Sequence, residues 1–272
     1  MIKASVVQAC TVGYSLSNTL DKLEHFLVVF PEAFIGGYPK MSTFGAVVGD
    51  RSPEGREEFL RYYNAAIDSV SKELGVFIVV GVIERDGGTL YCTVLFISPQ
   101  DGFVGKHRKL MPTASERLIW GFGDGSTLPV VEAKFNDTLG AQASAKLSAT
   151  ICWCLNTSAC QLTQRSVRTY YYSQGTQIYC APTVDARPVW QNTMTHIAIE
   201  GRCFVLSAYH PVADTNNRKP DNIMIAGGSV IINPLGKLDL DDCIRGKFDL
   251  DVVGHYARPD GEIHNPHIVD LC

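Results

Sequence analysis

No apolar run in this 272-residue chain reaches the roughly 18 residues that a membrane-spanning helix needs. Nor is there a basic arm or a Lys/Arg block: 24 Lys and Arg stand against 28 Asp and Glu, for a formal net charge of −4. These absences speak against a membrane or nucleic-acid partner and leave a small neutral or weakly polar substrate as the better fit. The start, Met1-Ile2-Lys3-Ala4-Ser5-Val6-Val7, lacks the basic region, apolar region and cleavage site of a secretory signal, so a cytoplasmic protein is expected. Nine cysteines, an odd number scattered through apolar segments such as Tyr91-Cys92-Thr93-Val94, argue against a disulfide framework and for reduced core thiols. The one cysteine cluster, Cys152-Trp153-Cys154 with Cys160, has no second ligand pair at zinc spacing, so no metal site is expected.

What is present is the makeup of an ordinary globular protein, 46% hydrophobic and 19% charged, long enough for one large core. We expect one α/β domain over residues 1–272, because no repeat, low-complexity tract or linker divides the chain. β-Branched and aromatic runs predict strands at Ser5–Ala9, Phe26–Phe30, Val76–Ile83, Leu90–Ile97, Leu147–Cys152, Gln177–Cys180, Cys203–Ala208 and Gly228–Ile232. Helical patterns fall at Gly55–Leu74 and Thr193–Gly201. In the first, Phe59, Tyr62, Tyr63, Ala66, Ile67 and Val70 make one apolar stripe suited to covering a sheet face. Asp86-Gly87-Gly88 and Pro99-Gln100-Asp101-Gly102 read as hairpin turns, so the sheet is expected to be mixed, with helices outside. If the first two strands are parallel neighbours, Cys10 to His25 is their whole crossover. That is close to the minimum of about a dozen residues, and a helix capped by Ser17 or Asn18 there must be short.

Three reactive side chains end strand-like runs, where α/β sheets tend to place their chemistry. Glu32 follows Val28-Val29-Phe30-Pro31; partial desolvation there would raise its pKa toward general-base duty, though a strand-end carboxylate bonding loop amides is an equal reading. Lys109 closes Gly105-Lys106-His107-Arg108-Lys109. A run of four basic residues reads first as a solvated loop with His107 facing solvent, but Leu110-Met111-Pro112 gives Lys109 a hydrophobic setting suited to burying an ammonium against an anion. Cys152 ends Ala149-Thr150-Ile151 beside Trp153; a thiol so placed is usually inert core unless a base or cation favours the thiolate. His196, on the second helical stretch, reads as structural.

Taken together, these segments resemble one family. Val28-Val29-Phe30-Pro31-Glu32-Ala33-Phe34-Ile35-Gly36-Gly37-Tyr38-Pro39 is similar to the glutamate motif of nitrilases in the carbon-nitrogen hydrolase superfamily. Gly105 to Thr113 is similar to their lysine motif, and Ile151-Cys152-Trp153 to the start of their cysteine motif. The likeness continues through Glu116 to Ser126, Gln177 to Asp185, Trp190 to Ser207 and Asp251 to Asp260, and its wording is nearest to eukaryotic aliphatic or aromatic nitrilases. It implies a four-layer αββα sandwich, a homodimer or larger homo-oligomer, a small-molecule nitrile substrate, and neither metal nor organic cofactor. It also implies that Glu32 is the general base, Lys109 the group that stabilises the intermediates and Cys152 the nucleophile. Glu116 resembles the family's additional glutamate, although the residues alone equally permit a capping box with Thr113.

The sequence also departs from that pattern. Where nitrilases continue Cys-Trp-Glu-Asn, this chain has Cys152-Trp153-Cys154-Leu155-Asn156, and the first crossover helix and the C-terminal region after Lys237 are short. Two alternatives to a nitrilase are therefore expected to need testing: an amidase-type carbon-nitrogen hydrolase, and a catalytically impaired nitrilase-like subunit.

Overall fold

The structure is a computed structural model, and it describes residues 4–6, 27–39, 44, 46–47, 50–65, 77–136, 142–151, 158–185, 187–208, 212–213, 223–225, 228–237, 256–257 and 263–264. The crossover from Cys10 to His25, Cys152 with the five residues after it, and the chain beyond Lys237 apart from two short strands lie outside them.

The strands, in chain order, are β1 (Ala4–Val6), β2 (Leu27–Val29), β3 (Ala46–Val47), β4 (Asp50–Arg51), β5 (Ile78–Asp86), β6 (Thr89–Ser98), β7 (Gly102–Arg108), β8 (Val131–Asn136), β9 (Gln142–Ala149), β10 (Ile178–Cys180), β11 (Phe204–Ser207), β12 (Val212–Ala213), β13 (Ile223–Ile225), β14 (Val230–Ile232), β15 (Tyr256–Ala257) and β16 (Ile263–His264). Two five-stranded mixed sheets dominate, ordered β1-β2-β5-β6-β7 and β14-β11-β10-β9-β8. In the first, β1, β2 and β5 run parallel, while β6 and β7 return as hairpins. In the second, β9, β10 and β11 are parallel and both edge strands are antiparallel.

Period-two alternation decides which face each side chain takes. Val79 and Ile83 of β5 and Cys92, Val94 and Phe96 of β6 point inward and meet Leu147, Ala149, Ile178, Cys180, Phe204 and Leu206 from the second sheet in one apolar layer. Ile78, Val80 and Val82, with Leu95 and Ile97, face the other way and pack with Phe30 and Phe34. The outer face of the second sheet, through Tyr179, Val205, Val230 and Ile232, is covered by α2 (Ser158–Ser173) and α3 (Pro188–Gly201), which supply Tyr171, Trp190, Met194 and Ile197. Two facing sheets with helices outside are the layering expected of an αββα sandwich. No described helix is long and apolar enough to cross a membrane.

All eight expected strands are present with shifted ends, and both expected turns join antiparallel neighbours. Strand β8 and helix α2 had not been anticipated. Helix α3 begins at Pro188, five residues before the expected start, because proline at the first turn gives up no hydrogen bond there. Of the expected apolar stripe, the described part of the first helix, α1 (Pro53–Ala65), supplies Phe59, Tyr62 and Tyr63, which pack against the apolar layer of the sheets, while Ala66, Ile67 and Val70 lie outside the described residues. Tyr62 stacks on Phe44 and donates to the Gly37 carbonyl at 3.0 Å, Trp120 Nε1 donates to Tyr62 Oη at 3.2 Å, and Tyr63 donates to the Gly87 carbonyl at 2.7 Å. The helix thereby braces the segments that follow Glu32 and Lys109.

One glycine is dictated by a close approach. After β2 the chain leaves the ladder at Phe30, whose N–H donates to Val79, and rejoins at Ile35, whose N–H donates to Gly81. The turn between them, with Ala33 at φ 52°, passes so close over β5 that a Cβ on Gly81 would sit 2.1 Å from the Pro31 carbonyl oxygen and 2.7 Å from the Glu32 Cα. Gly81→Ala is therefore expected to lower stability by about 1–3 kcal/mol through overpacking against backbone. Gly88→Ala, with nothing within 4 Å of its Cβ, should stay within about 0.5 kcal/mol. Denaturant unfolding of the two variants against the wild type checks the contrast.

Candidate active site

Glu32 and Lys109 come from strands of the first sheet that are separated by β5 and β6. Glu32 sits in the turn that follows β2, while Lys109 follows the last residue of the edge strand β7. The main chain of Lys109 is fixed on both sides: its N–H donates to the Cys92 carbonyl at 2.8 Å, and its carbonyl accepts from Gly123 N–H at 2.9 Å.

The basic run does not form a solvated loop. Gly102–Arg108 is a strand, so alternate residues part company. Lys106 and Arg108 reach Glu84 at 2.5 and 2.6 Å, and Arg108 also pairs with Asp86 at 2.7 Å and lies over the Tyr91 ring. His107 and Lys109 turn to the other side, where both are buried. The expectation of a solvent-facing His107 is thus corrected: its Nδ1 meets the Thr127 carbonyl at 2.9 Å, and burial holds it down at about 4, so it is neutral. His196 is exposed and lies 3.7 Å from Glu200 one helical turn on.

At the centre, Lys109 Nζ donates to Glu32 Oε1 at 2.7 Å and to Glu116 Oε1 at 3.1 Å, and it lies 5.5 Å from the centre of the Trp120 ring. Glu32 is 0% exposed, Lys109 2% and Glu116 4%. Glu116 is held from three directions. Tyr38 Oη donates to its Oε1 at 2.7 Å, and the Thr113 backbone N–H and hydroxyl donate to its Oε2 at 2.6 and 3.0 Å. It therefore caps the short 3₁₀ helix Ala114–Leu118 while hydrogen-bonding the lysine, and it does so from a buried position and not as a surface residue.

The electrostatics follow from this packing. Burial is the largest influence on Glu32 and raises its pKa; Lys109 pulls it back down and Glu116 pushes it up, leaving it at about 7. Burial opposes the charge on Lys109, but the two carboxylates outweigh that and hold it well above the usual lysine range. One permanent cation between two carboxylates, one of them poised near neutrality, is an arrangement able to take and return a proton while stabilising negative charge nearby. Among the described residues no group of His, Cys, Asp and Glu has the geometry to hold a metal ion.

The structure thus brings three of the four expected site residues, Glu32, Lys109 and Glu116, into one cluster; Cys152 lies outside the described residues. In the sequence it follows strand β9, which ends at Ala149, and Ile151 belongs to the same apolar layer as Ala33 and Trp120. Sequence reasoning missed Tyr38 and Cys92 as neighbours of the cluster. Tyr38 stood inside the glutamate motif, but its bond to Glu116 spans 78 residues, and no local pattern signals such a contact.

Glu84 makes a separate prediction possible. Burial would raise its pKa, yet its bonds to Arg108, Lys106 and Thr93 hold it down at about 2, below the ordinary 4.5. For a depressed carboxylate the stabilisation is complete above the unfolded value and is lost as pH falls through the folded one. Glu84→Gln should therefore cost about 2 kcal/mol near pH 7, and the gap to wild type should narrow progressively below about pH 4.5. Denaturant melts at several pH values measure this.

Comparison with known proteins agrees with the geometry. The carbon-nitrogen hydrolase family matches residues 7–239. An arylacetonitrilase of Trametes versicolor is 59% identical, covering 95% of this chain and 94% of its own. A Bradyrhizobium diazoefficiens nitrilase is 49% identical (95% and 89% covered), and a bifunctional nitrilase/nitrile hydratase of Nicotiana tabacum is 47% identical (95% and 84%). The Trametes alignment runs over 309 residues, whereas 95% of this 272-residue chain is roughly 258, so about fifty positions of that relative have no counterpart here. Among solved structures, an amidase from Nesterenkonia sp. AN1 superposes with a TM-score of 0.59 at 15% identity, covering 87% of this chain and 84% of its own, a likeness of fold. The chain belongs to the carbon-nitrogen hydrolase family, in its nitrilase group.

Proposed function

We propose that this protein is a nitrilase, hydrolysing an organic nitrile to a carboxylic acid and ammonia through a cysteine thioimidate and acyl-enzyme. The observation that carries the reading is the buried Lys109 ammonium shared between Glu32 and Glu116, in a chain whose Ile151-Cys152-Trp153 segment resembles the nitrilase cysteine motif. Relatives at 47–59% identity that are named nitrilases support it.

In this mechanism Glu32 takes the Cys152 thiol proton, and the thiolate adds to the nitrile carbon. The charge that develops on nitrogen is stabilised by Lys109 until Glu32 returns the proton and a neutral thioimidate remains. Water adds with Glu32 accepting one of its protons and passing it to nitrogen; as the tetrahedral intermediate collapses to the thioester, the new hydroxyl gives up its proton to the same nitrogen through Glu32, and ammonia leaves. A second water then hydrolyses the thioester, and the thiol is restored. Two waters are consumed for each acid and ammonia formed. Glu116 contributes by fixing Lys109. Expulsion of the thiolate from the first tetrahedral intermediate would release an amide instead. The same reading carries a cytoplasmic enzyme working as a homodimer or larger homo-oligomer, which light scattering of the purified protein tests.

A second reading, an impaired subunit, is favoured by the missing blocks and by the altered text after Cys152. An ammonia-release assay on an arylacetonitrile and its matching amide, paired with intact-mass detection of a Cys152 adduct, separates the possibilities. The nitrilase reading expects ammonia from the nitrile, and at least about a 10³-fold loss in Cys152→Ala and in Glu32→Gln. Faster release from the amide would make the chain an amidase, and a well-folded protein with neither turnover nor adduct would make it the impaired subunit.

The pH dependence is a further expectation. Glu32 must be ionised to accept the thiol proton, so kcat/KM should rise with pH through about 7 and fall tenfold per unit below it. An acid limb centred near the ordinary glutamate value would remove Glu32 from the role.

A further inference from the structure

Cys92 is a buried residue on the inner face of β6, between Leu90 and Val94, and the mechanism above does not use it. It nevertheless makes two bonds into the site. Its S–H donates to Glu32 Oε1 at 3.6 Å, the oxygen that also receives Lys109 Nζ, and its carbonyl accepts the Lys109 N–H at 2.8 Å. One residue of β6 thus touches both members of the ion pair, Glu32 through its side chain and Lys109 through its main chain.

We propose that Cys92 is a positioning residue for Glu32, whose thiol orients the carboxylate and favours its ionised form. For turnover this rests on the nitrilase reading; for the behaviour of Glu32 it does not. A thiol is a weak donor, so it orients a carboxylate while leaving it more basic than a hydroxyl in the same place would. It also stays a donor. Burial, with the carboxylates of Glu32 and Glu116, holds the Cys92 thiol well above its usual range, so an S–H and not a thiolate faces Glu32 across the working pH. Among the described residues, the other ionisable groups facing this point are Lys109 at the end of β7, Glu116 on the 3₁₀ helix and Tyr38 beyond the glutamate turn. Lys109 and Cys92 favour the Glu32 anion and Glu116 disfavours it, so removing Cys92 weakens the favourable side. Tyr38 is kept neutral, first by burial and then by Glu116 and Glu32.

The test reads Glu32 without requiring turnover. Infrared difference titration follows the protonated carboxyl band, assigned by its loss in Glu32→Gln, in the wild type, Cys92→Ala and Cys92→Ser. The alanine variant should titrate about half a unit higher, with the acid limb of kcat/KM moving alongside and about a threefold loss below it. Serine, which keeps a donor, should titrate below alanine. A role in packing alone would lower the melting temperature of both variants and leave the midpoints together at the wild-type value, which overturns the proposal. Should the variants fail to fold, the wild-type S–H stretch decides. A band that shifts as Glu32 ionises, and becomes independent of pH in Glu32→Gln, supports the proposal, and one that never shifts overturns it. Midpoints that move as expected in a protein inert toward nitriles would leave this proposal standing and remove the nitrilase reading.

Discussion

The Lys109 ammonium, sealed from water between the carboxylates of Glu32 and Glu116, is the interaction on which the rest of the structure depends. Three ionisable groups that are almost wholly buried would be prohibitive singly, since desolvating each charge costs several kcal/mol. They are tolerable only as a set. Removing one partner of such a buried pair typically costs about 3–5 kcal/mol because a naked charge stays behind. The fold must therefore present all three side chains at once, and much of its irregular backbone serves that end.

Each of the three arrives by a different device. Glu32 is carried on a four-residue excursion from the β2 ladder, tolerated because the strand beneath it has Gly81 at the crossing point. Lys109 is the next inward residue after His107 on an edge strand whose outward residues, Lys106 and Arg108, are tied to Glu84. A one-residue slip of β7 would send Lys109 outward and bring Arg108 in, so the Glu84 pairings also fix which base enters the site. Glu116 is presented by a short 3₁₀ helix, where the bond from Thr113 N–H fixes one carboxylate oxygen while the other faces Tyr38 and the lysine. Around them Tyr38, Trp120 and Tyr62 form a chain of ring contacts and hydrogen bonds that closes the space on the α1 side.

Strands of apolar, β-branched residues were legible in the sequence because both faces of the central strands are buried and the runs are continuous. Strand β8 was not, because Val131-Glu132-Ala133-Lys134-Phe135-Asn136 alternates on a sheet edge and its charged half masks the signal. The basic run was misread for a related reason: four cations in a row look solvated until the two-residue period assigns two to each side. Glu32, Lys109 and Glu116 were identified through their likeness to a family, while their convergence depends on contacts 77 and 7 residues apart that no local pattern encodes. Cys92 was read as a core thiol, and buried it is; what the sequence could not reveal is that the wall of the core at that point is the site itself.

The same arrangement explains how the two carboxylates come to differ. Glu116 commits its oxygens to Tyr38, Thr113 and Lys109, neutral donors and a cation that fix it in one orientation. Glu32 shares the same lysine but lies deeper, and the second carboxylate across the ammonium raises its proton affinity. Were Lys109 paired with Glu32 alone, burial would still raise that carboxylate, but without the added push of Glu116 it would be less basic. The charge of Glu116, acting across space, offsets part of the lysine's pull on Glu32. The second glutamate is then more than a support for the ammonium: its negative charge is one reason the first can carry a proton near neutral pH, and the depth of burial that makes the cluster costly is the other.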